Sequence, residues 1–315
     1  MQIYYILSCV PHLLKLLYSK EKRLCLGTFT RCLLAEDRCM YCYIQGEITM
    51  FLEKISWVQA QEYFEKRDIA IIPVGSTENH GSQLCLGTDF LIPRALCEMM
   101  DERLDVLVVP TIPYGVGDQH SNFPGTLTIG VDGLYDLVTR IVNELYRFGI
   151  RKFVFLNGHG GNTPVLQRVC VDLDTKNALG ALLNWWTIAG DLNPQWKGGH
   201  GGGEETAAML AIDPSCVHMH YFKHFEPKDL SEELKFDNAT NVSFKGVSIP
   251  VPRHVDRWAE YGWYGPDSPH LATVNWGNKM LDATADFCAD FIEAFEKVEI
   301  PTVNVPKFTM DDDED

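Results

Sequence analysis

From residue 50 onward, short apolar runs alternate with segments whose apolar positions recur at helical spacing. Ile69–Val74 is apolar throughout, the pattern of a strand buried on both faces. Val106–Pro110, Lys152–Leu156 and Ala181–Trp186 predict three more strands. Between and after them, Phe90–Met100, Leu134–Phe148, Pro164–Lys176, Glu204–Ile212 and Asn278–Glu296 carry helical patterns. Pro93 fits the first of these because the first helical turn tolerates a missing N–H. Strands alternating with helices build βαβ units, so the predicted class is α/β, a mainly parallel sheet with helices on both faces.

Two regions fall outside that alternation. Residues 222–270 are loop-rich, with Pro227, Pro250, Pro252, Pro266 and Pro269, and suit a lid or an oligomer contact. Residues 1–49 precede a more conventional amphipathic start at Phe51–Trp57 and read as an appended extension outside the functional fold. The catalytic unit is expected over 50–305, followed by an acidic tail over 306–315 that ends in five consecutive acids, Asp311 to Asp315.

Composition narrows the class further. A hydrophobic content of 46% with 22% charged residues is that of an ordinary globular chain. The net charge of −16 argues against a general nucleic-acid binder, which needs a basic face. No apolar run approaches the roughly 20 residues needed to span a bilayer, and Pro11, His12 and Lys15 interrupt the apolar start, so no membrane role is expected and a cytoplasmic location is the default. Of the ten cysteines, Cys39 and Cys42 have zinc-like spacing but no second pair to complete a site. The scattered ones, from Cys85 on, read as buried reduced thiols.

The chemistry concentrates where strands end. Directly after Ile69–Val74 come Gly75-Ser-Thr-Glu-Asn-His-Gly81 and Leu86-Gly-Thr-Asp89, supplying Glu78, His80 and Asp89, all ligand types for hard or borderline divalent metals. His120-Ser-Asn-Phe-Pro-Gly-Thr126 follows the second strand, Asn157-Gly-His-Gly-Gly-Asn162 the third, and His200-Gly-Gly-Gly-Glu-Glu-Thr206 opens a later helix. Singly, each has a bland reading: Asp89 suits an N-cap, Glu205 a first-turn acid, and the glycines a tight turn. Open α/β sheets gather such strand ends into one crevice, which favours a shared site.

These four motifs, in this order, resemble the creatininase family of metal-dependent amidohydrolases, and the resemblance runs from about Ile55 to Phe295. It implies a three-layer α/β/α sandwich, a binuclear metal centre and often a homo-oligomer, commonly a hexamer. By position, Glu78 and His159 would bind one metal, His80 the other, and Asp89 would bridge both. Two divalent ions, Zn²⁺, Mn²⁺ or Fe²⁺, suit these oxygen and nitrogen donors. His200 matches the proposed proton shuttle, and Glu205 is a further ligand or a base that orients water. His120 and Trp196 are expected at the substrate, Trp196 because it lies four residues before His200. Trp185 and Trp186 suit either a pocket wall or the core.

One departure stands out. Creatinine-hydrolysing members carry a glutamate two residues after the histidine of the third motif, where this chain has Gly161. The expected activity is therefore hydrolysis of a small cyclic substrate by metal-activated water, a cyclic amide first. The alternative is C–C cleavage of a cyclic polyol ketone such as a dehydro-inosose, for which Asp118, His120 or Asn122 would bind hydroxyls. A metal-binding relative without catalysis is the reading from another class.

Overall fold

The structure is a computed structural model that describes residues 50–101 and 103–300. The N-terminal extension and the acidic tail, with Cys39 and Cys42, lie outside the described residues. Four parallel strands form the main sheet: β1 (Ile69–Val74), β2 (Leu107–Val108), β3 (Lys152–Asn157) and β4 (Leu179–Asn184), in the order β2-β1-β3-β4. Around them run α1 (Trp57–Phe64), α2 (Thr88–Asp101), α3 (Gly130–Arg147), α4 (Thr163–Asp174), α5 (Trp185–Leu192), α6 (Gly203–Ile212) and α7 (Val274–Glu296).

Alternation along the strands creates two cores. Ile69 and Ile71 of β1 and Val154 and Leu156 of β3 face Ile92, Leu96 and Met100 of α2 and Met280, Leu281 and Ile292 of α7. Ala70, Ile72 and Val74, with Phe153 and Phe155, face Leu134, Val138 and Val142 of α3 and Leu166 and Val169 of α4. Successive side chains point to opposite faces of a strand, so a run apolar at every position requires helices on both sides. The result is the expected three-layer α/β/α sandwich. No helix among the described residues is long and apolar enough to cross a membrane.

Register and strand order place the site. Val74 pairs with Asn157, and Asn157 with Asn184, so three strands end level. The chain leaves β1 towards β2 on one side and returns past it to β3 on the other, making the β1/β3 boundary a topological switch point. Loops diverge there, and a crevice opens beyond the carboxyl ends.

Element boundaries shift from expectation for local reasons. The fourth strand is Leu179–Asn184 rather than Ala181–Trp186, because Trp185 already begins α5. The second shrinks to Leu107–Val108 at the sheet edge. α2 begins at Thr88, which moves Pro93 into its second turn. The start at Phe51–Trp57 is a 3-10 turn over Leu52–Lys54, followed by α1 with a capping box in which the Ser56 hydroxyl and the Gln59 side chain satisfy each other's backbone N–H. The loop-rich region contains a small antiparallel sheet, β5 (Lys235–Phe236), β6 (Asn241–Phe244) and β7 (Val247–Pro250). Lys245 (φ 51°) and Gly246 (φ 81°) form the turn between its last two strands, where both central residues need positive φ. Among the described cysteines only Cys97 and Cys288 are buried; Cys85, Cys170 and Cys216 are half-buried, and all five are free.

Candidate metal centre

Two glycines let the site form. A Cβ at Gly75, just past β1, would lie 2.5 Å from the Asp89 carbonyl oxygen, and one at Gly158, just past β3, would overlap it. The absence of side chains at both strand ends lets the first turn of α2 settle on the β1/β3 boundary. Pro93 has no N–H to offer the Asp89 carbonyl four residues earlier, so that carbonyl is free to turn toward these glycines.

The structure brings Glu78, His80, Asp89, His120, His159, His200 and Glu205 together as three overlapping donor groups. Glu78, Asp89 and His159 form one, His80, His200 and Glu205 the second, and Glu78, His120 and His200 the third. Asp89 joins the first two: its Oδ1 lies 2.8 Å from His80 Nε2 and its Oδ2 3.2 Å from His159 Nδ1. Glu205 Oε2 lies 3.7 Å from His80 Nε2 and accepts the Gly201 N–H at 2.6 Å.

Backbone carbonyls orient the imidazoles. His159 Nε2 donates to the Val116 carbonyl (2.8 Å), His80 Nδ1 to the Glu78 carbonyl (3.1 Å) and His200 Nε2 to the Asn79 carbonyl (2.6 Å). A carbonyl only accepts, so each contact fixes the ring proton on the outer nitrogen and turns the other nitrogen toward the carboxylates. Metal-ligating histidines have this arrangement.

Unsatisfied atoms mark the same place. His159 Nδ1, His200 Nδ1 and His120 Nε2 converge on Glu78 Oε1 at 3.2, 3.8 and 3.9 Å, yet Oε1 makes no hydrogen bond. Asp89 Oδ2 and His120 Nδ1 are also buried without a hydrogen-bond partner. Buried acceptors at the focus of imidazole nitrogens fit divalent cations, which need oxygen and nitrogen donors of this kind.

Charge and burial compete strongly here. Burial pulls the His80 imidazole down, but Asp89 and Glu205 outweigh it and push it up to about 10. For His159 burial is likewise overcome by Glu78 and Asp89, leaving it well above its ordinary value. Asp89 responds oppositely: burial raises it, yet His80 and His159 hold it below the usual carboxylate range. His200 stays neutral, lowered by burial and by His120 and His80, and burial takes His120 down to about 4. Burial lifts Glu205 to about 7 against the lowering effect of His80. It lifts Glu204 to about 9, with Glu205 and Asp267 adding to the rise.

A cavity of about 650 Å³ opens onto the donor groups. His120, His159, His200, Glu204 and Glu205 line it, with Trp186 and Tyr264 as aromatic walls. Ala239 and Thr240 from the loop-rich region also line it, so that region forms part of the wall. A larger apolar cleft of about 1200 Å³ between α1 and α3 contains none of the donor residues.

The family model described as creatinine amidohydrolase matches residues 53–292. The chain belongs to the creatininase family. It is 30% identical to creatinine amidohydrolase of Pseudomonas putida over 192 residues, 54% of this chain and 74% of that protein. It is 34% identical to the mycofactocin precursor peptide peptidase of Mycobacterium tuberculosis over 232 residues, 69% and 82% of the two chains. It is 27% identical to the 3-dehydro-scyllo-inosose hydrolase of Thermotoga maritima over 210 residues, 63% and 68%. A solved manganese creatininase superposes with a TM-score of 0.64 at 24% identity, covering 79% of this chain and 100% of that one, and it shares the α/β fold.

The departure expected at Gly161 meets a steric limit in this creatininase-family hydrolase. At Gly161 a Cβ would lie 2.5 Å from His159 Nε2 and closer still to the Val116 carbonyl oxygen. The backbone therefore runs where the His159–Val116 hydrogen bond leaves no room for a side chain. Trp196 packs partly buried against the core and is not among the cavity-lining residues. Of the tryptophan pair, Trp185 is wholly buried and Trp186 lines the cavity. Asn122 donates to Asp256 and does not line the cavity, whereas Asp118 does.

Sequence reasoning missed Glu204 and Tyr264. Tyr264 stacks 5.0 Å from the His200 ring and lies 6.1 Å from His120. It lies 64 residues beyond His200 in a segment without regular pattern, so no local signal marks it. Glu204 sits beside Glu205 in the sequence; both are buried, and only Glu205 belongs to a donor group.

Proposed function

We propose that the chain is a two-metal hydrolase that cleaves the amide bond of a small substrate, a cyclic amide being the first choice. The observation that carries this is Asp89, whose two oxygens each face an imidazole of a different donor group. Glu78, Asp89 and His159 would hold one ion, and His80, Asp89 and Glu205 the other. Glu205 then serves as the ligand that Gly161 cannot supply. Zn²⁺ and Mn²⁺ are the favoured ions, in keeping with solved relatives in Mn and Zn-Zn forms. Divalent ions held there supply Lewis acidity, which acidifies water and polarises a carbonyl.

The chain's own groups do the rest. His200 is the proton carrier: its Nε2–H is fixed on the Asn79 carbonyl, and its Nδ1 faces the donor cluster in a neutral ring. That nitrogen takes up a proton and delivers it to the leaving amide nitrogen. Trp186 and Tyr264 flank the cavity. Its volume of about 650 Å³ suits a small molecule or a peptide end. Amide cleavage is favoured over opening of a polyol ring because Trp186 and Tyr264 wall the cavity; of the hydroxyl-binding candidates, Asp118 and His120 line it and Asn122 is engaged with Asp256.

Metal analysis of the purified protein tests the core of this reading. The expected result is about two zinc or manganese ions per chain, falling to one or none in Asp89→Asn, since a bridging carboxylate serves both ions. Full metal occupancy in Asp89→Asn would refute it. A panel of cyclic amides, short peptides and inososes then identifies the bond cleaved.

A further inference from the structure

The chain between His80 and Asp89 runs beside the exit of α6. Leu84 forms an antiparallel bridge with Val217, flanked by two backbone hydrogen bonds. The His218 N–H donates to the Gln83 carbonyl (2.6 Å) and the Cys85 N–H to the Cys216 carbonyl (3.0 Å). That register sets Cys85 opposite Cys216. Opposed residues on antiparallel strands share one face, with Cα atoms about 5.5 Å apart where the backbones hydrogen-bond. A disulfide spans Cα separations of about 4.4–6.8 Å, so neither segment has to move far for this pair to be bridged. The two side chains already touch, the Cys216 thiol hydrogen-bonding with that of Cys85.

Both cysteines are free and half-buried, and each has an exposed chain neighbour, Leu86 and Ser215, so a small reagent reaches them. Cys97 of α2 and Cys288 of α7 are by contrast wholly buried in the core. Cys216 keeps its proton, pushed up to about 12 by burial, Cys85 and Asp213, which leaves Cys85 as the sulfur that attacks first. The position of the pair gives it consequence. The Cys85 carbonyl accepts the Thr88 hydroxyl (2.9 Å) at the start of α2, next to Asp89, and the Leu86 carbonyl accepts the Glu78 N–H (3.0 Å). Cys216 follows α6, whose first turn carries Glu205.

We propose that Cys85 and Cys216 are a reversible redox site, oxidised by low-molecular-weight disulfides to a cross-link that ties the segment carrying Glu78, His80 and Asp89 to the exit of α6. The Cys85 sulfur joins one sulfur of the small disulfide and releases the other as a thiol, which takes up the Cys85 proton. The Cys216 sulfur then displaces the joined small thiol and passes its own proton to it. Two protein thiols are oxidised, and one small disulfide is reduced to two thiols. Neither metal nor substrate enters, so the site stands independently of the hydrolase reading.

The test equilibrates the full chain in glutathione buffers from fully reduced to fully oxidised, traps free thiols by alkylation under denaturing conditions and maps the peptides by mass spectrometry. A peptide pair joined through Cys85 and Cys216, lighter than the two free peptides by two hydrogens, should grow with the oxidised share and vanish when reduced glutathione is restored. Complete alkylation of both cysteines in oxidised glutathione overturns the proposal, and so does a Cys216 joined instead to another cysteine. A thermal melt reads the tie itself. Closing so long a loop should raise the Tm of wild type by about 5 °C or more on oxidation, and should leave Cys85→Ser and Cys216→Ser unchanged. An oxidised wild type that melts no higher than the reduced protein overturns the tie.

Discussion

Gly161→Ala tests the steric account of the missing ligand. The added Cβ would lie 2.5 Å from His159 Nε2 and closer to the Val116 carbonyl oxygen, separating a 2.8 Å hydrogen bond. Forcing a methyl group into packed space costs about 1–3 kcal/mol when the surroundings must move. The lost hydrogen bond contributes a further ~0.5–1.5 kcal/mol. Function is affected more specifically, because the Val116 carbonyl holds His159 with Nδ1 aimed at Glu78 and Asp89. Removing such a support lowers metal affinity by about 10–100-fold, equivalent to ~1.4–2.7 kcal/mol. Zinc affinity measured by competition with a chromophoric chelator, alongside a thermal melt, reads both effects. The expected result is weaker zinc binding together with a lower Tm. A Gly161→Ala protein with wild-type zinc affinity would refute the reasoning, as would a Gly161→Glu protein that binds zinc more tightly than wild type.

Four further outcomes follow from the same geometry. Zinc uptake should release protons, because without metal His80 keeps its proton up to about pH 10 and His159 well above its ordinary value; titrations in buffers of different ionisation enthalpy read this, and a release of zero near pH 8 contradicts it. The sign for stability agrees: His80 is raised above its unfolded value of about 6.5, so its contribution is full below that pH and fades as pH rises through about 10, and the melting temperature of the metal-free protein should drop over that window. His200→Gln should lower kcat by about a hundredfold or more on whichever substrate is found while keeping the zinc content, and unchanged turnover excludes the proton-carrier role. Gly158→Ala should destabilise the fold by about 1–3 kcal/mol, because the methyl would overlap the Asp89 carbonyl between β3 and α2; a Tm equal to wild type rules that out.

Much of the architecture was legible because one physical rule governs it. Ile69–Val74 and Lys152–Leu156 are buried on both faces, the pattern of parallel strands between helix layers. The ligand candidates were legible for a related reason: strand ends at a switch point collect loops, and Glu78, Asp89 and His159 sit in the loops and helix start that meet there. Short or irregular elements were not legible. Lys245-Gly246 turns a hairpin whose strands run to four residues each, too few to show a period against exposed neighbours. Trp185 continued an apolar run, and the switch from strand to helix after Asn184 left no mark in the pattern.

By itself the sequence determined the layer order, the families of donor side chains and the strand ends on which they lie, because these depend on local periodicity and chain direction. Only the tertiary structure decided how the donors divide. It set Asp89 between two imidazoles, moved His120 up to Glu78, took Trp196 out of the cavity lining and left Glu204 buried without a partner. It also turned Gly161 from an absent ligand into a position closed by the His159–Val116 hydrogen bond. Which groups share a low-dielectric space depends on distances between segments remote in the chain, and no local pattern encodes those distances.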